Sequence, residues 1–320
     1  MNKMTESLQI YMSGQGFKSA VVPISHLKDL KNDLGSILKQ DLMTDVFYDD
    51  QLSHLKFSPP VDFTSAQSII ITAVQQPRLT VTFHYQGQTI HSYVPPTYSH
   101  KTDEMALELL AQYLNDKGYR VHMAAIPEKS LAVHSGLASY GKNNITYMDD
   151  WGSFFRLKAF ISDMPSTLDQ WNAFTVMDIC HRCQACQKAC PTGAISEDRF
   201  VIHHKRCLTY MNEKPDPFPD WIEPNWHNCF IGCMECQDHC PLNKTFKNVT
   251  SEGEVFSEEE TMMILNGLER SWLTEEIQKK LKRLWLWEDY PVLEKNLKVL
   301  IKIKSQNNPK PNTARAQAST

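Results

Sequence analysis

Apolar and polar positions along the first half of the chain are spaced as regular structure requires. Residues 5–12 and 26–38 place apolar side chains at helical spacing, whereas 67–74 is a nearly unbroken β-branched and apolar run, the pattern of a buried strand. Leu79, Val81, Phe83 and Tyr85 alternate with polar neighbours up to Gln86-Gly87, and 89–94 continues in the same style, which predicts a hairpin turning at Gly87. Leu107, Leu110, Ala111 and Leu114 recur at i, i+3, i+4 and i+7 behind Asp103 and Glu104 and ahead of Gly118, the marks of a helix with a defined start and stop. A strand over 119–124, a short helix over 129–135 and an apolar strand over 153–162 follow. Residues 176–247 then lose periodicity and are rich in proline between 215 and 224, helical patterning returns over 257–304, and 305–320 holds no large apolar residue and reads as a disordered tail.

Composition narrows the class. With 320 residues the chain is long enough for about two domains. Hydrophobic residues make up 42%, charged residues 22%, and the formal net charge is −4, so a polycation built to coat nucleic acid is excluded. The strongest apolar runs, such as 69–74, fall far short of the roughly 20 residues of a membrane span. Residues 1–14 lack the apolar core of a signal peptide. The expectation is a cytoplasmic protein with no membrane partner.

All nine cysteines (Cys180, Cys183, Cys186, Cys190, Cys207, Cys229, Cys233, Cys236, Cys240) fall in one segment. Nothing here exports the chain, and a protein this long needs no disulfide staples, so ligation explains them better than cross-linking. Cys180-x2-Cys183-x2-Cys186-x3-Cys190-Pro191 reproduces the bacterial ferredoxin run, in which three thiolates cap one [4Fe-4S] cube and the fourth reaches another. Cys233-x2-Cys236-x3-Cys240-Pro241 repeats its second half. Pseudo-two-fold logic assigns Cys180, Cys183, Cys186 and Cys240 to one cluster, and Cys190, Cys233, Cys236 and one remote cysteine to the other. Spacing alone leaves that last ligand open between Cys207 and Cys229. Zinc is the competing metal, but three cysteines at successive x2 steps followed by x3-Cys-Pro overfill a zinc knuckle.

Upstream, Gly136-x4-Gly141-Lys142-Asn143 stops one residue short of a phosphate-binding loop, since Asn143 stands where a Mg²⁺-binding hydroxyl is needed. NTP hydrolysis is not indicated. Residues 277–304 hold eight Lys/Arg against three acidic residues, with Trp285, Trp287 and Tyr290 between them. Such a face suits phosphate and base contacts, or an amphipathic helix pair with its aromatic side packed and its lysines in water.

Taken in order, EKSLAVHSGLASYGKN at 128–143, GSFF at 152–155, the ferredoxin run, RCLTY at 206–210 and GCMECQDHCP at 232–241 resemble the epoxyqueuosine reductase family and its reductive dehalogenase relatives. The resemblance covers roughly 100–245. It implies an α+β protein: a nitroreductase-like α/β corrinoid-binding domain (1–170), a bacterial ferredoxin-like domain with two [4Fe-4S] clusters (171–250), C-terminal helices (251–304) and the tail. It implies that Cys207 is the eighth cluster ligand. It implies that Gly136, Tyr140, Gly141, Lys142, Asn143, Gly152, Ser153 and Phe154 help enclose a cobalamin. The family's proton-donating aspartate falls on His122, which can also donate near neutral pH; Tyr98 and His100 are further pocket donors on position. No Asp-x-His-x-x-Gly motif is present to supply a cobalt-ligating histidine. The implied function is an iron-sulfur, cobalamin-dependent reductase that cleaves a bond reductively with electrons from a low-potential ferredoxin or flavodoxin, on a small-molecule substrate or a tRNA. The rival readings are a ferredoxin-type electron carrier serving a corrinoid or flavin partner, and a tRNA-modifying epoxyqueuosine reductase proper.

Overall fold

A strand that is apolar at consecutive positions has to be covered on both sides, and the apolar run at 67–74 is covered in this way. The computed structural model describes residues 3–40, 42–166 and 169–307. In chain order α1 (Lys3–Gly14), β1 (Phe17–Pro23), α2 (Leu27–Lys39), α3 (Asp45–Gln51), β2 (Ser68–Gln75), β3 (Arg78–Tyr85), β4 (Gln88–Val94), α4 (Lys101–Asn115), β5 (Val121–Met123), α5 (Glu128–His134), β6 (Ser139–Tyr140), β7 (Thr146–Tyr147) and β8 (Phe155–Ser162) precede the cysteine segment. That segment contains α6 (Ala185–Ala189), α7 (Leu208–Glu213) and α8 (Glu235–Asp238). After it come β9 (Thr250–Phe256), α9 (Glu258–Leu265), α10 (Glu275–Arg283) and α11 (Tyr290–Asn307).

The first sheet has the order β1-β2-β8-β5, and every pair is antiparallel. β2 and β8 run in register from Ser68 opposite Ser162 to Gln75 opposite Phe155. Successive side chains point to opposite faces. Ile69, Ile71 and Ala73 therefore join Leu157, Ala159 and Ile161 beneath Leu27 and Leu30 of α2 and Leu131 and Ala132 of α5. Ile70 and Phe160 point the other way, against Leu8 and Met12 of α1 and Leu110 and Leu114 of α4. Two apolar layers on one pair of strands account for the unbroken run.

The hairpin β3–β4 belongs to a different core. Its turn places Gln86 at φ 48° and Gly87 at φ 70°, the left-handed pair of a two-residue hairpin turn. The second sheet has the order β4-β3-β9, with β9 parallel to β3. Val81, Phe83, Ile90 and Val94 pack with Phe256 and with Ile264, Ile277, Leu281 and Leu297 of the last three helices. Phe230 and Ile231, from between the cysteine motifs, are fully buried in that same core. Phe83 stacks on Phe256 at 5.0 Å and meets Phe230 edge-on at 4.8 Å. The C-terminal helices therefore share one core with the hairpin and pin the cysteine segment to it.

Two strands escape sequence patterning. β1 has neither alternation nor a continuous apolar run, and it forms as an edge strand, where its closing Pro23 costs no internal ladder bond. β9 is almost entirely polar and is defined by backbone pairing with β3, where a Cβ on Gly253 would sit 2.9 Å from the Thr80 carbonyl. Of the expected tail, 305–307 end α11 and 308–320 lie outside the described residues. The basic C-terminal stretch is ion-paired: Lys280 with Glu260 at 2.6 Å, Arg283 with Glu254 at 2.6 Å, and Lys279 with Glu275 at 2.7 Å, while Lys282 lies over Trp287. Among the described residues no helix is long and apolar enough to cross a membrane.

Phe230→Ala should lower unfolding stability by about 3–5 kcal/mol, because it empties a fully buried site against the Phe83 ring. The same change at Trp272, 72% exposed, should stay within about 0.5 kcal/mol. Urea midpoints of the two variants check the contrast.

Candidate iron-sulfur centre and adjoining cavity

The two cysteine motifs fold alike. In each, a short helix carries the middle cysteine of an x2-x3 pair, Cys186 in α6 and Cys236 in α8. In each, the cysteine before proline is extended: Cys190 at φ −71°, ψ 107° and Cys240 at φ −69°, ψ 126°. Proline disfavours helical geometry in its predecessor, so both helices stop there and the last sulfur is turned away from its own motif.

The consequence is visible around one small space, which Cys180, Cys183, Cys186 and Cys240 line together. Burial and the three neighbouring thiols push the Cys186 thiol up to about 11. Cys207 lies close enough to Cys190, Cys233 and Cys236 for their charges to oppose one another's ionisation. Burial and these neighbours push Cys233 up to about 12, although Asn228 donates to its sulfur at 3.4 Å. Four crowded thiols ionise together only around a cationic core, which a [4Fe-4S] cube supplies; the donor set fits two such clusters. Cys229 is 2% exposed beside Phe154 and Met234, near enough to Cys233 for that thiol to oppose its ionisation, and its own thiol donates to Asn228 Oδ1 at 3.0 Å.

The residues expected to enclose a corrinoid do other work. Gly136 closes α5 with φ 76°. Tyr140 is buried against Phe174 and Phe200. Gly141, Lys142 and Asn143 line the space among the first four thiols, and Asn143 donates to the Tyr147 hydroxyl at 2.8 Å. A Cβ on Gly152 would fall 2.2 Å from Asn243 Oδ1. Ser153 takes that same oxygen on its backbone N–H at 2.8 Å and donates its hydroxyl to Gln237 at 2.8 Å, and Phe154 packs on Met234. These residues are the dock of the cysteine segment on the first sheet, a role their spacing does not reveal.

Between that sheet and the cysteine segment lies a cavity of about 210 Å³. Cys233 forms part of its wall; facing groups include Tyr98, Glu128, Lys129, Arg156 and Glu213. Arg156 grips Asp103 through two hydrogen bonds of 2.9 and 2.8 Å, and although burial opposes it, this grip holds the Asp103 carboxyl below its usual range. Tyr98 donates its hydroxyl to Glu213, and burial raises both groups above their ordinary values. Burial also raises Glu128, against the pull of Lys158 at 3.2 Å and of Arg156. Of the sequence candidates, Tyr98 and Ser153 reach this cavity. His100 instead accepts from Arg156 at 3.1 Å, and His122 is exposed on β5 with its ring 4.4 Å from Phe63. Glu128, Glu213 and Arg156 carried no sequence signal for this role beyond the place of Glu128 at the head of a quoted motif.

The cavity also tests the implied corrinoid. The eight residues expected to enclose one are, Ser153 excepted, away from its wall. The residues present do not fit a corrinoid in this arrangement.

Comparison with known proteins follows the same division. Residues 179–243 match the 4Fe-4S double cluster binding domain family. Curated epoxyqueuosine reductases are similar in sequence: that of Shewanella oneidensis is 28% identical over 191 residues, 58% of this chain and 47% of that protein. That of Atelocyanobacterium thalassa is 32% identical over 158 residues, 48% and 50%, and that of Escherichia coli 34% over 148 residues, 45% and 38%. The matched stretch thus spans half or less of these relatives. In fold, the epoxyqueuosine reductase of Streptococcus thermophilus superposes with TM-score 0.67 at 19% identity over 97% of this chain and 87% of that one. An epoxyqueuosine reductase solved with an epoxyqueuosine-modified tRNA-Tyr stem loop gives 0.66 at 20% identity over 93% and 81%.

Cys207→Ser should cost one cluster, leaving about four iron atoms per chain, whereas Cys229→Ser should keep about eight. Iron and sulfide content after anaerobic reconstitution reads the difference, and the reverse result would exchange the two assignments. With its matched cluster domain, and with sequence similarity over roughly half of its length, the chain is similar to the epoxyqueuosine reductases.

Proposed function

We propose that this chain is an iron-sulfur oxidoreductase of the epoxyqueuosine reductase kind, with epoxyqueuosine carried on a tRNA as its substrate. The observation that carries the reading is the cavity: Cys233, a ligand of the proposed second cluster, shares it with carboxyl, phenol and guanidinium groups able to bind and protonate a polar substrate. A plain electron carrier has no use for such a chamber, which disfavours the ferredoxin-type alternative. The relative solved with a modified tRNA stem loop supports a macromolecular substrate over a small molecule.

The reaction is a two-electron reduction. An epoxide takes two electrons and two protons, both C–O bonds break, and the products are a carbon-carbon double bond and water. Cys180, Cys183, Cys186 and Cys240 would hold one [4Fe-4S] cluster and Cys190, Cys207, Cys233 and Cys236 the other, and together they would supply one-electron transfer from a low-potential carrier such as a ferredoxin or flavodoxin toward the cavity that Cys233 lines. The chain's own residues hold the substrate and exclude bulk water. Arg156, fixed by Asp103, keeps a positive charge in place for the oxygen that departs.

A corrinoid between cluster and substrate, within a nitroreductase-like domain, is supported by the resemblance alone. No step is assigned to it. Lys279, Lys280 and Arg283 of α10 are ion-paired, so phosphate binding is not assigned to α10.

Anaerobically prepared protein holding about eight iron atoms, reduced with dithionite, should remove one oxygen from epoxyqueuosine in a tRNA stem loop, read by mass. No loss of oxygen would overturn the reading. Turnover that required one bound corrinoid per chain, seen as a Co(II) EPR signal, would overturn the direct route from cluster to substrate while keeping the substrate.

A further inference from the structure

From the arrangement of the cavity wall we infer that Glu128 is the proton donor of this chain, in place of a donor at position 122. The inference rests on the reading above. His122 lies six residues earlier on β5, where its ring packs on Phe63 and takes no part in the cavity wall. Glu128 begins α5 and lines the cavity.

Arg156, Tyr98 and Lys129 of the wall are already engaged, and Glu213 takes the Tyr98 hydroxyl on one oxygen. Arg156 gives its protons to Asp103 and to the Thr97 carbonyl. The Tyr98 proton is committed to Glu213, and burial makes this phenol a reluctant acid. Lys129 donates to the carbonyl and side-chain oxygens of Asn144, at 2.9 and 3.0 Å. Glu128 differs from these. Its contacts with Lys158 at 3.2 Å and with the Ala159 N–H at 3.4 Å both fall on Oε1, and Oε2 makes no hydrogen bond within the described residues. One carboxyl oxygen is therefore tethered and the other is available to substrate.

Burial raises the affinity of this carboxyl for a proton, the direction in which a general acid must be shifted. Lys158 and Arg156 on β8 oppose that rise, and Asp103 on α4 adds to it. In the step itself, the two electrons drawn from the low-potential carrier would break the C–O bonds, and Glu128 Oε2–H would protonate the oxygen as it departs. A proton from solvent at the cavity mouth then restores the carboxyl and another completes the water that leaves. The electrons come from the same low-potential carrier, so the balance stays at two electrons and two protons per epoxide.

Glu128→Gln keeps size and hydrogen bonding but has no acidic proton. It should retain about eight iron atoms and the wild-type cluster EPR signal while losing about 10²- to 10⁴-fold in single-turnover rate, and Glu128→Asp should recover part of that loss. Activity should fall as pH rises through the carboxyl's raised pKa. Removing the nearest cation with Lys158→Met should raise that pKa further and move the alkaline limb to higher pH. A readout independent of turnover is infrared titration, in which the wild type should show a protonated-carboxyl band that Glu128→Gln lacks. A Glu128→Gln protein with the wild-type rate and pH profile, or with an unchanged carboxyl titration, would overturn the assignment. Wild-type protein that fails to reduce the substrate would instead bring down the functional reading, and the infrared comparison would still decide the state of Glu128.

Discussion

Much of this structure follows from the requirement that four sulfurs surround each inorganic centre when no stretch of chain supplies all four. Across some fifty residues Cys240 meets Cys180, Cys183 and Cys186 around one small space, and Cys190 lies near Cys207. Two prolines make the exchange possible by holding the preceding cysteines extended. The loop between the motifs must then be fixed by something other than the clusters. Phe230 and Ile231 do so by entering the core shared by β3, β4 and the last helices. Side chains of this size contribute about 1.5–3 kcal/mol each on full burial, and the Phe230 N–H donates to the Tyr93 carbonyl at 2.9 Å as a second tie.

The same requirement shapes the contact with the first sheet. Asn243, fully buried, accepts from Ser153 N–H and donates both to the Ser153 hydroxyl and to the Gln237 carbonyl. Arg78 spans the gap from the other side, pairing with Asp238 at 3.0 Å while stacked over Tyr93. The Asn243 contacts, which use both its oxygen and its amide nitrogen, favour one docking pose over its neighbours. Gly152 fits because any side chain there would displace Asn243. The cavity beside Cys233 is the space this pose leaves between β8, α5 and α7, so its volume and lining are set by the docking.

Electrostatics then differentiates the groups that meet there. Two carboxyls and a phenol are raised by loss of water, while Asp103, in a comparable depth, is kept ionised by Arg156. Environments that push like groups apart are how one fold supplies both an acid and a fixed charge. Elsewhere the triple stack of His26, Trp171 and His134, with centroid spacings of 4.0 and 4.5 Å, anchors the connection between β8 and the cysteine segment. Asp29, Asp33 and Asp169 hold the two imidazoles in place.

The amino-acid sequence by itself determined the features that depend on neighbours along the chain. The ferredoxin spacing, the hairpin turn at Gln86-Gly87, the buried run of β2 and the helix of α4 all follow from local periodicity and backbone preference, and the structure contains each of them. Spacing does not choose between Cys207 and Cys229, because the position of each among the other thiols depends on where a remote loop returns; in the fold Cys207 lies near Cys190 and Cys229 near Cys233. Nor could it show that residues 136–154 clasp the cysteine segment, that β9 pairs with a strand some 170 residues earlier, or that Glu128 and Glu213 face one cavity. These are long-range contacts, decided by which surfaces exclude water together. Local pattern carries no record of them until the chain has closed on itself.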